Sequence, residues 1–216
     1  MAARVWSRAA ALLVAVAACV AGPPIPSRYD GFALGRVDAA VHVEAFYDLM
    51  CPNCRDSWPA VREMLDALGG PVRFTLHAFP LPYHRNAYLT AQAAQALGAS
   101  GHANASAHVF AWTEAVFAAQ GELGNSATES LTTSQVKRKL EGLAKSSTGQ
   151  DVTLFTDAAD GAARVSWKYA CYRGVFGTPT YLVNGVPAPD DSGSWDADQW
   201  IKFVSGILHA PAAGVA

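Results

Sequence analysis

The segment DLMCPNCRDSW, residues 48–58, places two cysteines where a strand pattern gives way to a helix pattern. Before it, Ala40–Asp48 is rich in β-branched and aromatic residues and predicts a strand. After it, Arg55–Leu68 has apolar residues at helical spacing and ends at two glycines. Pro71–Pro80 then alternates apolar and polar residues and predicts a second strand. This order predicts a right-handed crossover between parallel strands, with the cysteine pair at its first turn.

The predicted placement gives the two cysteines different chemistry. Cys51 lies at a helix N-terminus, where unpaired N–H groups and the helix dipole stabilise a thiolate. Pro52 suits the first helical position, because the N–H it lacks would have no partner there. Cys54 follows one turn later and faces inward, so we expect an exposed nucleophile backed by a resolving thiol. Asn53 carries no charge, and we expect it to tune the pair to a less oxidising potential than a histidine would.

Two other roles compete for the pair. A structural zinc site uses about four ligands, usually two cysteine pairs or a Cys/His cluster, and the sequence has one CxxC. An inert structural disulfide fits less well, because the pair lies at a helix start. We therefore favour redox chemistry at Cys51 and Cys54, with no metal and no bound cofactor.

Residues 1–21 predict a cleaved secretory signal peptide. Arg4 and Arg8 precede an apolar run that is short for a bilayer span, and small residues lead up to Gly22. An N-terminal anchor helix is the alternative, and Cys19 also lies in a segment similar to a bacterial lipidation site. We expect the secretory pathway, in the endoplasmic reticulum lumen or outside the cell. In a bacterium we expect the periplasm or a lipid anchor at Cys19.

Cysteine usage is informative in such an oxidising compartment, where thiols tend to form disulfides. Cys19 leaves with the signal, so Cys51, Cys54 and Cys171 remain of the four cysteines. An odd number indicates one functional pair and a spare. We expect Cys171 to be a buried small apolar residue, with an intermolecular disulfide or a regulatory thiol as alternatives. Asn104 begins an Asn-Ala-Ser sequon, a candidate glycosylation site in a eukaryotic secretory pathway.

The composition of the chain excludes some classes of protein. Its 216 residues are 51% apolar and 16% charged, which suffices for one domain with a hydrophobic core. A net charge of −2 gives no basic footprint for nucleic acid. Beyond the signal no stretch is apolar enough to span a membrane, so no stable span is expected after cleavage.

The remainder of the chain predicts a helical insertion and a return to the sheet. Residues 86–173 are rich in alanine and hold four helical patterns, too many for a simple crossover; Thr133 or Ser134 is the expected cap of the third. Thr180–Val183 then predicts a strand, and Asn184-Gly185 a tight hairpin turn. An amphipathic helix, DADQWIKFVSGIL, closes the fold.

These motifs, in this order, resemble the DsbA-like branch of the thioredoxin superfamily. FYDLMCPNC matches a strand followed by CPxC, FPLPYHRNAYLTAQAAQAL and FAWTEAVFAAQ resemble the helical insertion, and GVFGTPTYLVNG matches the cis-proline loop and hairpin. The likeness covers about residues 41–208. More narrowly, SRYDGF, CRDSWP and FPLPYH resemble secreted or ER-directed plant thioredoxin-like proteins.

The resemblance implies an α/β fold: the thioredoxin fold, a central mixed sheet flanked by helices, with an inserted helical subdomain. The first part of the domain, with the CxxC, would span residues 22–85. The insertion would span 86–173, and the second part of the domain, with the cis-proline loop and the C-terminal helix, 174–216.

The resemblance also implies a thiol–disulfide oxidoreductase in which Cys51 attacks, Cys54 resolves, and the two form a reversible disulfide. It implies a cis peptide between Thr178 and Pro179 beside Cys51, where the Thr178 backbone would pair with an extended substrate. The implied partners are protein thiols and disulfides and a separate redox protein, with glutathione as a further candidate. Two alternatives stay open: a glutathione-using DsbA-like transferase or isomerase, which would not need Cys54, and a non-catalytic thioredoxin-fold binding protein.

One departure from the family concerns the proton of Cys54. Relatives often carry a buried acid six residues before the first cysteine, and here that position is Ala45. Glu44 precedes it and should point to the opposite face of the strand, as a structural or surface acid. Deprotonation of Cys54 would then depend on water or on another group.

Four further titratable residues lie near the motif or the strands. Asp48 and Arg55 flank the cysteine pair, and either they set the field at Cys51 or they lie solvated at the surface. His77 is expected to pack in the core or at the sheet edge. His84 lies in the loop that enters the insertion, and an approach to the active site is the less favoured of its roles.

Overall fold

The computed structural model describes residues 25–26, 28–101 and 104–210, so the predicted signal peptide and Cys19 lie outside the described residues. Five strands form one sheet in the order β1-β3-β2-β4-β5. The strands are β1 (Phe32–Leu34), β2 (Val41–Tyr47), β3 (Val72–Ala78), β4 (Thr180–Val183) and β5 (Val186–Pro187). The central pair, β2 and β3, is parallel and the other pairs are antiparallel. The predicted mixed sheet is therefore confirmed.

The helices flank this sheet. The crossover from β2 to β3 is α1 (Pro52–Leu68). Between β3 and β4 come α2 (Ala87–Gly98), α3 (Ala105–Ala118), α4 (Gln120–Leu123), α5 (Thr133–Thr148) and α6 (Asp157–Tyr172). A 3₁₀ helix (Asp190–Ser194) and α7 (Ala197–Leu208) follow β5. The inserted helical subdomain is confirmed, and no helix in the described ranges is long and apolar enough to cross a bilayer.

Strand β2 is covered on both faces, and its alternating side chains pack into two separate hydrophobic clusters. Ala45 and Tyr47 belong to the larger cluster, which α1, the insertion and α7 complete. Phe46 belongs to a smaller cluster with Leu182 of β4 and Ala170 of α6. Because side chains alternate along a strand, Glu44 lies on the same face as Phe46, away from Ala45. The two faces of β2 therefore serve different environments.

Local signals explain where several elements begin and end. Helix α1 buries one stripe at helical spacing, which includes Cys54, Trp58 and Val61. The hairpin after β4 is confirmed, because Asn184 and Gly185 have φ values of 49° and 81°, the backbone of a tight hairpin turn.

The predicted cap of α5 was wrong by one residue or two. The N-cap is Thr132, not Thr133 or Ser134: its hydroxyl accepts from the Gln135 N–H, and the Gln135 side chain accepts from the Thr132 N–H. This reciprocal pair is a capping box, which requires the glutamine three residues after the cap. Only Thr132 has a glutamine at that spacing.

Candidate active site

The cysteine pair lies at the first turn of α1, as predicted. Cys51 is the N-cap residue and Pro52 follows it at the helix start. The Cys51 N–H donates to the Asp48 carbonyl at 2.9 Å, which closes the turn after β2. The buried side-chain amide of Gln120, in α4, donates to the carbonyls of Leu49 and Cys51 at 2.8 and 3.0 Å. The insertion therefore fixes the backbone that carries the reactive sulfur.

Both thiols are free in the structure, and neither is widely exposed. Cys54 is fully buried, as expected, but Cys51 is only 4% exposed. The prediction of an exposed nucleophile was therefore wrong in degree. The reason is the loop before β4: the Thr178 carbonyl lies 3.6 Å from the Cys51 sulfur and covers it on one side.

The two thiols differ sharply in acidity. The pKa of Cys51 is lowered to about 5, mainly because the Cys54 thiol donates a hydrogen bond to its sulfur. The Thr178 side chain and the N–H groups of Asn53 and Cys54 lower it further, against the opposing effect of burial. Burial raises the pKa of Cys54, and the neighbouring Cys51 raises it again. At neutral pH the site therefore holds a thiolate at Cys51 and a thiol at Cys54.

Titration of the reduced protein is expected to show this asymmetry. Thiolate absorbance in the ultraviolet should rise with a midpoint at pH about 5, and Cys54→Ala should raise that midpoint because it removes the main donor. The thiolate should also stabilise the folded reduced protein. Because the folded pKa lies below the ordinary value of 9.0, this stabilisation is full above pH 9 and is lost as pH falls through about 5. Cys171→Ala serves as the control and should leave the low midpoint unchanged.

The loop opposite the cysteine pair has the backbone that the resemblance implied. The peptide bond between Thr178 and Pro179 is cis. The 3₁₀ helix packs closely against it: a Cβ added to Gly193 would lie 3.2 Å from Cγ of Pro179. A larger residue at this glycine would therefore press on the loop.

A cavity of about 570 Å³ opens beside this loop. The start of α1, the cis-proline loop and the 3₁₀ helix surround it. Its lining residues are Asn53, Asp56, Ser57, Thr178, Pro179, Asp190, Asp191, Gly193, Ser194 and Trp195. Three of the predicted site residues, Asn53, Thr178 and Pro179, thus share one surface.

Asp48 is buried rather than solvated, so the surface alternative for this residue was wrong. It is 1% exposed, and its carboxylate accepts from the N–H groups of Met50 and Leu81 at 2.8 and 3.1 Å. Nδ1 of His84 lies 2.5 Å from the same carboxylate, which brings this histidine to the turn that precedes Cys51. Burial raises the pKa of Asp48, and the hydrogen bond from His84 opposes that effect. Arg55 instead pairs at the surface with Asp56, at 2.8 Å.

Three buried hydroxyl groups, which the sequence did not reveal, lie on the Cys54 side of the sheet. The Tyr47 and Tyr181 hydroxyls share a hydrogen bond of 2.6 Å, and Tyr181 donates to Ser57 at 3.0 Å. Ser57 in turn donates to the Cys54 carbonyl at 3.0 Å. Ala45 also faces this side, so hydroxyls rather than a strand carboxylate surround the second cysteine.

On the opposite face of β2, Glu44 is a buried structural acid, and its surface alternative was wrong. It is 2% exposed, and its carboxylate accepts from Arg173 and Tyr169, both at 3.3 Å. Nε2 of His77 lies 3.5 Å from it, while Nδ1 of the same ring lies 2.7 Å from Asp30. His77 is therefore a core residue, as expected, within an ionic cluster.

Cys171 is exposed, so its predicted burial was wrong. Its neighbour Ala170 is the residue of this turn of α6 that faces the core. One residue along a helix turns the side chain by about 100°, which carries Cys171 to the outer surface. Asn104 is also exposed, at the start of α3.

Fold and site together define a thioredoxin-fold protein with a CxxC motif at a helix start and a cis-proline loop beside it. The chain belongs to the thioredoxin family, since the family model described as Thioredoxin matches residues 28–203. The helices inserted between β3 and β4 agree with the DsbA-like branch that the sequence motifs resemble. No curated protein sequence matches the chain.

Solved structures share the fold at low sequence identity. A candidate protein-disulfide isomerase from Pseudomonas syringae has a TM-score of 0.66 at 18% identity, over 81% of this chain and 98% of its own. The catalytic domain of Proteus mirabilis ScsC has a TM-score of 0.64 at 17% identity, over 85% and 92%. A periplasmic thioredoxin-like protein from Salmonella enterica serovar Typhimurium has a TM-score of 0.60 at 17% identity, over 83% and 91%.

Proposed function

We propose that the protein is a thiol–disulfide oxidoreductase that acts on protein thiols and disulfides through Cys51 and Cys54. One observation carries the proposal: Cys51 is the N-cap of α1 with its sulfur 3.6 Å from the Thr178 carbonyl of the cis-proline loop, and the buried Cys54 thiol follows it one helical turn later. In this setting the pKa of Cys51 is lowered to about 5. A thiolate is the species that attacks disulfides, and a second thiol within reach can complete the exchange. The candidate isomerase among the relatives adds support from a protein of the same fold.

The exchange would proceed in two balanced steps. The Cys51 thiolate attacks one sulfur of a substrate disulfide; the substrate S–S bond breaks, and its other sulfur leaves as a thiolate. Cys54 then loses its proton and attacks the Cys51 sulfur, which forms the Cys51–Cys54 disulfide and releases the second substrate thiolate. The substrate gains two electrons and the cysteine pair loses them. The reverse sequence oxidises a substrate dithiol.

The surroundings of the pair supply positioning. The Thr178 backbone, next to the Cys51 sulfur, would pair with an extended substrate segment, while Pro179 leaves no competing N–H. Pro52 starts the helix that presents the sulfur, and Asn53 lines the adjoining cavity without adding charge. Tyr47, Ser57 and Tyr181 give the second cysteine polar neighbours when it loses its proton.

A compartment that sustains disulfides fits this chemistry. We propose a secreted or periplasmic protein, and the periplasmic relative from Salmonella enterica supports this placement. The signal-like residues 1–21 agree with it. The endoplasmic reticulum, a lipid anchor at Cys19 and glycosylation at the exposed Asn104 stay predictions for the respective host.

The test is catalysed reduction of insulin disulfides with dithiothreitol as the reductant, together with the potential of the Cys51–Cys54 couple in glutathione buffers. We expect turnover above the rate of dithiothreitol alone and a reversible disulfide between the two cysteines. Cys51→Ala should return the rate to that of dithiothreitol alone, because the attacking sulfur is lost. No turnover, with no reversible disulfide, would overturn the proposal.

A further inference from the structure

The cavity beside the cis-proline loop has charge of one sign. Among the described residues, its charged lining residues are Asp56, Asp190 and Asp191, all acidic, and no lysine or arginine of that part of the chain lines it. Asp56 forms an ion pair with Arg55, whose Nη2 lies 2.8 Å from Oδ1 of the carboxylate. Asp190 and Asp191 are exposed and form no ion pair within the described part of the chain. Two uncompensated negative charges therefore face the space next to the reactive pair.

These acids are held in place rather than carried on a loose loop. Ser192, between them and the glycine that contacts Pro179, is buried, and its N–H donates to the Pro189 carbonyl at 2.9 Å. The Ser194 hydroxyl donates to the Asp191 carbonyl at 2.8 Å. Close packing of Gly193 on Pro179 then ties this 3₁₀ helix to the loop beside Cys51. The negative field has a fixed position relative to the attacking sulfur.

The cavity also has an apolar wall. Trp195 is half-buried, and its ring packs edge-on against Trp200 and Phe203, with ring centroids 5.0 and 5.1 Å apart. A fixed indole face can accept the aliphatic stem of a lysine or arginine and attract its charged end. Acids and an aromatic wall in one cavity suit a long cationic side chain.

We propose that this cavity selects substrate segments that carry lysine or arginine beside the reacting cysteine. The inference rests on the proposed oxidoreductase function and names its substrate class. A segment paired with the Thr178 backbone would place its flanking side chains over the cavity, where Asp190 and Asp191 attract cations and repel anions. Anionic substrates, including glutathione with its excess of carboxylates, would react more slowly at the same site.

The test uses three peptide disulfides with a chromogenic leaving thiol, identical except that two residues beside the cysteine are lysine, glutamine or glutamate. Reduced protein is mixed with each in a single turnover, and each rate is divided by the rate with dithiothreitol, which corrects for the peptide's own reactivity. We expect the order lysine, glutamine, glutamate, with about tenfold between the extremes at low salt. The span should shrink as salt shortens the screening length.

Matched variants assign the preference to the cavity. Asp190→Asn with Asp191→Asn should bring the three rates to within about twofold. Glu129→Gln with Glu141→Gln removes the same charge from exposed positions outside the cavity and should keep the full preference.

The remaining outcomes overturn either this inference or the proposed function. Equal corrected rates for all three peptides in the unaltered protein would overturn this inference and leave the oxidoreductase function standing. A preference that survives the aspartate variant would overturn it too, since its source would then lie outside the two aspartates. A preference that the control variant also loses would do the same, since overall charge would then be the cause. No reaction with any peptide would overturn the proposed function itself.

Discussion

Cys54→Ser is expected to lower insulin-reduction turnover by about a hundredfold or more while leaving the first attack intact. Serine keeps a hydroxyl that can donate to the Cys51 sulfur, so the low pKa of that thiol should largely persist. It cannot attack a disulfide, so the exchange should stop at the mixed disulfide. Substrate-linked protein should therefore accumulate on non-reducing gels, and mass spectrometry should place the link at Cys51.

The same variant separates the three functions considered for this chain. A glutathione-using transferase or isomerase would retain activity, because its chemistry needs one cysteine. A non-catalytic binding protein would show no change and no trapped substrate. Cys171→Ser is the matched control, since Cys171 is exposed and distant in sequence from the pair, and it should leave turnover and trapping unaffected.

The reactive pair could be predicted from sequence because its signals are local. A strand pattern, a proline after the first cysteine and a helix pattern occupy adjacent segments, so Cys51 had to fall at a helix start. The exposure of Cys51 could not be predicted in the same way, because the group that covers it comes from Thr178, 127 positions along the chain. Burial at a site of this kind depends on tertiary contacts, which periodicity does not encode.

Other parts of the fold and the site could not be predicted from the sequence either, and each has a physical reason. β1 (Phe32–Leu34) has three residues, too few for an alternation to be read, and it exists because it pairs with β3. The buried hydroxyls near Cys54 include a hydrogen bond from Tyr181 to Ser57, two residues that lie 124 positions apart in the sequence. In the sequence Asp48 is a polar residue at the end of a strand, which predicts exposure. In the structure three hydrogen-bond donors from two loops allow its carboxylate to be buried. In each case the outcome depends on the residue's partners in the folded chain, which its own local sequence does not reveal.

Glu44→Ala is expected to lower the free energy of unfolding by about 3 kcal/mol, the largest stability effect that we predict for a single side chain here. The carboxylate is the shared partner of His77, which is fully buried, and of Arg173. Its loss would leave a buried cation with Asp30 as its remaining acid. Urea unfolding at constant pH measures the change, and Glu141→Ala, at an exposed position, should stay within about 0.5 kcal/mol of the unaltered protein.

The effect of Glu44→Ala should depend on pH in a defined direction. Burial opposes the charged form of Glu44, but the interaction with His77, whose Nε2 lies 3.5 Å from the carboxylate, brings its pKa below the ordinary 4.5, so its contribution is full above that value and is lost in acid. Burial likewise opposes the charged form of His77, but Asp30 and Glu44 raise its pKa above the ordinary 6.5, so its contribution is full below that value and is lost as pH rises. The two requirements overlap between pH 4.5 and 6.5. The difference in stability between the unaltered protein and the variant should therefore be largest in that window, and a difference independent of pH would contradict an ionic cluster on this face of β2.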